Sequence, residues 1–186
     1  MSVYARTREH VLGMLPKSAV GAEIGVWKGD FSAQILKIAA PAVLHLIDPW
    51  AATDAPDHQS AWYATGSGVD MEAIHDQVLA RFEAERRTGQ IVIHRASSEA
   101  ALSALPDASL DFVYVDGDHA YDAVRRDLLL AVAKTKPGGL ICVDDHRTDK
   151  WWGDGVVRAV NEVLGAHPSD LILRFAANTQ VVITRR

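Results

Sequence analysis

The hydrophobic positions of the chain fall into short apolar runs that are separated by longer stretches with helical spacing. Apolar runs of four to eight residues bounded by turn-forming segments are typical of buried strands. The predicted strands are 19–25, 43–47, 90–94, 110–115, 140–143, 171–175 and 180–184. The predicted helices are 5–15, 31–39, 71–87, 99–105, 121–133 and 155–164.

Strands that alternate with helices favour a mostly parallel sheet with helices on both faces. The last two strands, 171–175 and 180–184, are too close in sequence for a crossover helix, so we expect them to pair antiparallel. The pattern therefore predicts an α/β fold with a Rossmann-like, doubly wound sheet of seven strands. This sheet is expected to be mostly parallel and to carry a C-terminal antiparallel hairpin strand.

A chain of 186 residues is expected to form one domain, spanning residues 1–186. Residues 1–17 contain the N-terminal helix, which Pro16 ends. Residues 51–70 contain Pro56, Gly66 and Gly68 among polar residues and are predicted to form a long loop or lid.

Charge and composition narrow the range of partners. The formal net charge of −5 disfavours nucleic acid, because phosphate binding needs a basic face. No stretch approaches the roughly 18 consecutive apolar residues of a membrane span. The polar N-terminus lacks the apolar core of a signal peptide. We therefore expect a cytoplasmic protein that binds neither nucleic acid nor membrane.

A glycine-containing turn follows the first predicted strand. Gly25 and Gly29 let the backbone turn sharply and approach a ligand closely, and the helix that follows offers N-terminal amides to a carboxylate. A dinucleotide fingerprint would place a further glycine where Trp27 stands, which argues against a bound pyrophosphate. A turn with a purely structural role is the alternative.

Polar residues also follow the second and third strands. Asp48 ends the second strand, and its two oxygens suit the paired hydroxyls of a ribose. The alternative is that Asp48 only terminates the strand. Ser97 or Ser98 is suited either to hydrogen-bond an adenine edge or to cap the next helix, and the two serines are able to share these roles.

Three carboxylates follow the fourth and fifth strands. If these strands are neighbours, Asp116, Asp144 and Asp145 converge at one end of the sheet and raise one another's pKa values. A divalent cation would remove the repulsion, and an all-oxygen site suits Mg²⁺ or Mn²⁺. The alternative is that Asp144 caps a loop and Asp145 faces water.

Together these motifs resemble those of the class I S-adenosylmethionine-dependent methyltransferases. The resemblance covers residues 19–186 and is greatest for the group with macrolide-sugar and cephalosporin-pathway O-methyltransferases. The motifs that carry it are Glu23-x-Gly25-x-x-x-Gly29, Asp48-Pro49-Trp50, Asp116-Gly117-Asp118-His119, and Pro137-Gly138-Gly139 followed by Asp144-Asp145.

The resemblance implies roles for these residues. Glu23 and Gly25 would lie by the methionine part of S-adenosylmethionine, Asp48 would hold the ribose, and Ser97 would approach the adenine. The expected cofactor-binding set is Glu23, Gly25, Trp27, Gly29, Asp48, Ser97 and Asp116. Metal-dependent members place their ligands at the positions of Asp116, Asp144 and Asp145.

His119 lies three residues after Asp116, where metal-dependent O-methyltransferases often carry a general base. Its unperturbed pKa near 6.5 suits proton transfer at neutral pH. We expect His119, or an oxygen of Asp116, to deprotonate a small-molecule hydroxyl that the metal has acidified. The alternative is that His119 supports a metal ligand through a hydrogen bond.

Aromatic residues cluster in the loops after the strand ends and in the predicted lid. They are Trp50, Trp62, Tyr63, Trp151 and Trp152. Core packing is the usual role of tryptophan, but Trp151 or Trp152 is also expected to contact the acceptor.

The N-terminus is shorter than in the sugar-modifying relatives, so the acceptor's identity and a homo-oligomeric state stay open.

Three other functions compete with this interpretation. A nicotinamide-dependent oxidoreductase would share the glycine turn and Asp48 but would need the dinucleotide spacing. A non-catalytic binding module would not need the carboxylates and His119. A methyltransferase that works without a metal would use the same cofactor and differ only in its response to EDTA.

Overall fold

The computed structural model describes residues 3–54, 61 and 63–186. Trp62 and residues 55–60 of the predicted lid lie outside the described residues. The helices are α1 (Val3–Met14), α2 (Asp30–Ala39), α3 (Met71–Arg81), α4 (Glu83–Thr88), α5 (Ser98–Ala104), α6 (Tyr121–Lys134) and α7 (Gly155–Ala166). The strands are β1 (Val20–Ile24), β2 (Val43–Asp48), β3 (Ile91–Arg95), β4 (Leu110–Val115), β5 (Thr135–Val143), β6 (Leu171–Ala177) and β7 (Gln180–Arg185).

The strands form one seven-stranded sheet in the order β3-β2-β1-β4-β5-β7-β6. Strands β1 to β5 pair in parallel, whereas β7 pairs antiparallel with both β5 and β6. The predicted fold class is confirmed. The chain order of the strands reverses between β1 and β4, which is the place where open α/β sheets leave a crevice for ligands.

Two apolar layers cover the two faces of the sheet. One layer packs α1, α2 and α3 against the sheet through residues such as Leu12, Ile35 and Val78. The other packs α5, α6 and α7 through residues such as Leu102, Leu128 and Val160. Helices on both faces let each parallel strand bury both of its sides. Within the described residues, no helix is both long and apolar enough to cross a membrane.

Two elements differ from the sequence expectation. The helix predicted at 71–87 is divided into α3 and α4 at Phe82, which is only 3% exposed because its side chain packs into the core. Strand β5 begins at Thr135 rather than at residue 140. Its first residue pairs with Leu110 before a register shift, so Pro137 and the following glycines lie in an irregular strand start.

Candidate active site

A cavity of about 650 Å³ lies at the point where the strand order reverses. Its walls come from the segments that follow β1, β2, β3, β4 and β5. Seven of the residues predicted from the sequence line it: Gly25, Trp27, Asp48, Ser97, Asp116, His119 and Asp145. Their side chains or backbones therefore face one shared space.

Gly25 permits the close approach of the β1 and β4 tips. Its backbone has φ +86°, and a Cβ atom there would lie 2.0 Å from the backbone oxygen of Asp116. The amide of Asp116 donates to the carbonyl of Ile24 at 2.9 Å, which joins the two tips. A side chain at position 25 is thus excluded by the protein itself, before any ligand binds.

Asp48 ties the end of β2 to the glycine turn. Its Oδ2 accepts hydrogen bonds from the amides of Val26 and Trp27, both at 3.0 Å, and its Oδ1 accepts one from Trp50 at 2.7 Å. Burial raises the pKa of Asp48, although these hydrogen bonds oppose the shift. A carboxylate oxygen has two lone pairs, so these amide contacts still leave Oδ1 able to accept a further hydrogen bond from a ribose hydroxyl. The ribose role stays a prediction.

Glu23 and Gly29, both predicted to bind cofactor, do not line the cavity. Glu23 is fully buried within β1 and accepts a hydrogen bond from Ser32 of α2 at 2.5 Å. Burial raises the pKa of its carboxyl group to about 8, so it is mainly protonated at neutral pH. A Cβ atom at Gly29 would lie 2.6 Å from the ring of Phe82. Both residues therefore support the turn from beneath.

The two serines after β3 have different partners. The hydroxyl of Ser97 accepts a hydrogen bond from the amide of Ala100 at 3.2 Å and so caps α5, while Ser97 also lines the cavity. Ser98 donates to Asp127 of α6. Burial raises the pKa of Asp127 to about 6, and this cavity-lining carboxyl had no recognisable signal in the sequence.

The segment after β4 brings His119 between two carboxylates that also line the cavity. Its Nε2 lies 3.2 Å from Oδ2 of Asp145 and 3.7 Å from Oδ1 of Asp116. Burial by itself would lower the pKa of His119, but the two carboxylates outweigh it and raise the pKa to about 9. The imidazole of the ligand-free protein is therefore mainly protonated at neutral pH.

The candidate metal ligands differ from the predicted trio. One ligand atom each from Asp116, His119 and Asp145 lies within 4.8 Å of the others, and Asp144 does not belong to this group in the described part of the chain. Asp144 is 1% exposed. It accepts hydrogen bonds from the hydroxyls of Tyr114 and Thr179, each at 3.2 Å. Asp144 does not line the cavity, so the candidate ligands are Asp116, Asp145 and His119.

Arg8 is a site residue that the sequence analysis missed. Its Nη2 lies 2.6 Å from Oδ2 of Asp116 and 2.8 Å from Oδ2 of Asp144. A nearby cation relieves the repulsion between these carboxylates, and α1 supplies one from more than a hundred residues away in sequence. No local pattern around Arg8 indicates this contact, since it depends on how α1 packs.

A series of aromatic rings connects His119 with Tyr63 through Trp152 and Trp151. The His119 ring stacks on Trp152, which meets Trp151 edge to face at 5.5 Å, and Trp151 lies 6.3 Å from Tyr63. Of these rings, those of Tyr63 and His119 line the cavity. Trp50 is buried, as core packing predicts. Contact between Trp151 or Trp152 and the acceptor stays a prediction.

Comparison with known protein families identifies the class of protein to which this fold and site belong. The family model described as "Methyltransferase domain" matches residues 22–146. The chain therefore belongs to the methyltransferase domain family, and its fold is that of S-adenosylmethionine-dependent methyltransferases. This membership argues against the nicotinamide-dependent alternative.

Solved structures share the fold at low sequence identity. A candidate rRNA methylase from Clostridium thermocellum has a TM-score of 0.69 and 11% identity, covering 100% of this chain and 96% of that one. An O-methyltransferase from Bacillus cereus in complex with S-adenosylhomocysteine (SAH) has a TM-score of 0.61 and 12% identity, covering 100% and 82%. At such identities these structures show the fold alone.

One curated relative matches a shorter segment. The uncharacterized protein R132 of Acanthamoeba polyphaga mimivirus is 36% identical over 63 residues, which is 34% of this chain and 28% of that protein. The match thus spans little more than a quarter of the relative's length.

Proposed function

We propose that the protein is an S-adenosylmethionine-dependent O-methyltransferase that acts on a hydroxyl group of a small molecule. The observation that carries the proposal is the position of His119 between Asp116 and Asp145, in the same cavity as Gly25 and Asp48. Asp48 and Ser97 are suited to bind a nucleoside, and His119 with its two carboxylates is suited to proton transfer. A cytoplasmic location and a free small-molecule acceptor complete the proposal, and the net charge of −5 supports an acceptor other than nucleic acid.

The residues of the chain would act mainly through orientation and charge placement. The bound cofactor supplies a methyl group already activated by the sulfonium, so no covalent enzyme intermediate is required. Asp48 and Ser97 would hold the nucleoside, and the open backbone at Gly25 would admit the methionine part. Because Asp116 and Asp145 hold a proton on the ligand-free imidazole, only the neutral form of His119 would serve as the base. In that form it would accept the proton of the acceptor hydroxyl, while the two carboxylates orient the ring and stabilise the charge that it gains.

A divalent cation, Mg²⁺ or Mn²⁺, belongs to the same proposal. Whether such an ion fits depends on the ligand atoms available. Carboxylate oxygens of Asp116 and Asp145 lie within 4.8 Å of each other and of a ring nitrogen of His119. Such oxygens fit Mg²⁺ or Mn²⁺, and the ion would supply Lewis acidity that lowers the pKa of the acceptor hydroxyl. It would also neutralise the two charges that hold the proton on His119.

A methyltransferase that works without a metal is the second candidate, and Arg8 favours it. The guanidinium already compensates charge at Asp116 and Asp144, so the repulsion between carboxylates does not by itself require an ion. The two candidates differ in one measurement. If the ion takes part, EDTA abolishes turnover and added Mg²⁺ or Mn²⁺ restores it.

The proposal is tested with His119→Ala, using SAH release over a panel of hydroxyl-bearing acceptors and SAH binding by calorimetry. Removal of a general base typically costs about 100- to 10,000-fold in rate. We expect a loss in this range, with SAH affinity changed less than about threefold because His119 is proposed to contact the acceptor hydroxyl and not the nucleoside.

His167→Ala is the matched control, because His167 also faces a carboxylate but lies in the surface loop after α7. It should retain both turnover and SAH binding. An equal loss of turnover and SAH affinity in His119→Ala would show a structural role for His119. A wild-type protein that fails to bind SAH would overturn the proposal itself.

A further inference from the structure

Arg8 occupies a fixed position against the carboxylates of the site. Its side chain is 18% exposed, and a single nitrogen, Nη2, contacts both Asp116 at 2.6 Å and Asp144 at 2.8 Å. The side chain of Asp144 is fully buried in this pair. A buried carboxylate needs a compensating charge, and Arg8 provides it.

The surroundings of the guanidinium keep it in this place. Its central carbon lies 3.9 Å from the centroid of the Phe31 ring, and the rings of Tyr4 and Tyr114 lie at 5.3 and 5.9 Å. Cations over aromatic faces are attracted by the ring electrons. The next turns of α1 are anchored in the core by Leu12. Arg8 is therefore held from both sides.

Asp116 is shared between Arg8 and the candidate ion site. Its Oδ2 accepts the hydrogen bond from Arg8, whereas its Oδ1 faces His119. A divalent cation on Asp116 and Asp145 would thus lie close to a fixed positive charge and would also compete with it for Asp116. Like charges at such distances, partly shielded from water, repel strongly.

We infer that Arg8 is a built-in counter-ion that holds Asp116 and Asp144 and thereby keeps the affinity of this site for a divalent cation low. The inference rests on the ion site of the proposed function and adds the residue that sets its strength. When a neutral side chain replaces Arg8, Asp116 keeps His119 as a partner and Asp144 loses its charged partner. A divalent cation then meets neither a competing hydrogen bond at Asp116 nor the repulsion of the guanidinium. Helix α1 thereby favours the Arg8 guanidinium over a divalent metal ion as the cation that pairs with these carboxylates.

The experiment measures Mn²⁺ binding by electron paramagnetic resonance of the free ion, without cofactor or acceptor. Arg8→Met should bind one Mn²⁺ about tenfold or more tightly than the wild type, because the repulsion and the competition both disappear. Arg8→Lys, which keeps the charge, should stay within about threefold of the wild type. Arg8→Gln serves as the neutral variant if Arg8→Met does not fold.

Arg125→Met is the matched control, because Arg125 is also paired with a carboxylate, Glu162 at 2.6 Å, but on the α6 and α7 surface. Its Mn²⁺ affinity should equal that of the wild type. Equal or weaker Mn²⁺ binding by the folded neutral variants would overturn the inference, as would an absence of Mn²⁺ binding in every variant. None of these outcomes tests the proposed function itself, which is measured separately by SAH binding and by methyl transfer.

Discussion

The imidazole ring of His119 stacks on the indole of Trp152, with ring centroids 4.3 Å apart and planes inclined by 22°. Trp152 thereby fixes the plane of the ring whose Nε2 faces Asp116 and Asp145. The indole nitrogen of Trp152 is buried and has no hydrogen-bond partner among the described residues. Its contribution is therefore the flat ring surface and not a polar contact.

This stacking predicts that Trp152→Ala lowers kcat about tenfold, because a freed imidazole spends less time in the productive orientation. KM and SAH affinity should change less than about threefold. Trp152→Phe should retain most of the activity, since phenylalanine preserves a stacking surface and no hydrogen bond is lost. Loss of SAH binding in Trp152→Ala would instead indicate collapse of the site.

Gly25→Ala is expected to destabilise the protein by about 3 kcal/mol or more. The new methyl group would meet the Asp116 backbone at 2.0 Å, and the positive φ adds a strain of about 1–2 kcal/mol. Gly89→Ala is the control, because Gly89 has φ +78° with no atom within 4 Å and should cost only about 1 kcal/mol. Urea denaturation measures the free energy of unfolding of both variants. An equal decrease in the two variants would show that the close contact at Gly25 does not matter.

Asp48→Ala should reduce both stability and SAH binding. Three backbone amides lose their acceptor, and unpaired buried groups cost about 1–3 kcal/mol each, less where water reaches them. Asp48→Asn keeps one oxygen and should be destabilised less, yet lose about tenfold in SAH affinity if the carboxylate holds the ribose. Wild-type SAH affinity in Asp48→Asn would argue that Asp48 only supports the turn.

The His45–His94 pair predicts a loss of stability in mild acid. Nδ1 of His45 lies 2.9 Å from Nε2 of His94, and burial, with a contribution from His94, lowers the pKa of His45 to about 4. Burial also lowers the pKa of His94. Between about pH 6.5 and pH 4 the two histidines bind protons more readily in the unfolded chain than in the folded protein. The free energy of unfolding therefore falls as the pH drops through this range.

The two histidines are expected to account for about 1 kcal/mol of the acid-induced decrease in the free energy of unfolding. This value allows for solvent screening of the half-buried rings. Urea denaturation at pH 7.5 and pH 4.5 measures it as a difference between wild type and His45→Gln, which removes the titrating group. The decrease in unfolding free energy should be smaller in the variant by this amount. An identical decrease in both proteins would show that the pair does not contribute.

The convergence of Gly25, Asp48 and Ser97 on one cavity was predictable from the sequence. Gly25, Asp48 and Ser97 each follow directly after a strand, and parallel strands bring their carboxyl ends to one edge of the sheet. Glu23 was predicted beside them but lies inside β1, bonded to Ser32. A motif establishes that a residue is near the site, whereas the strand's alternation decides which face its side chain takes.

The carboxylate end was predictable only in part. Adjacent aspartates after one strand look equivalent in the sequence, yet Asp144 is buried among polar partners while Asp145 reaches the cavity with φ +54°. Arg8 and Trp152 reach the site by packing from other segments, so no local spacing indicates them. Their roles depend on long-range contacts.

The sequence by itself determined the order of strands and helices, the parallel sheet with its closing hairpin, and the strand tips that carry polar residues. These features follow from local periodicity and from the short connection between the last two strands. Only the tertiary structure decided which carboxylates share the cavity with His119 and which cation meets them. Those outcomes depend on groups that are far apart along the chain: Asp145 meets His119 because β4 and β5 are neighbours, and Arg8 meets the carboxylates only when α1 packs against the sheet.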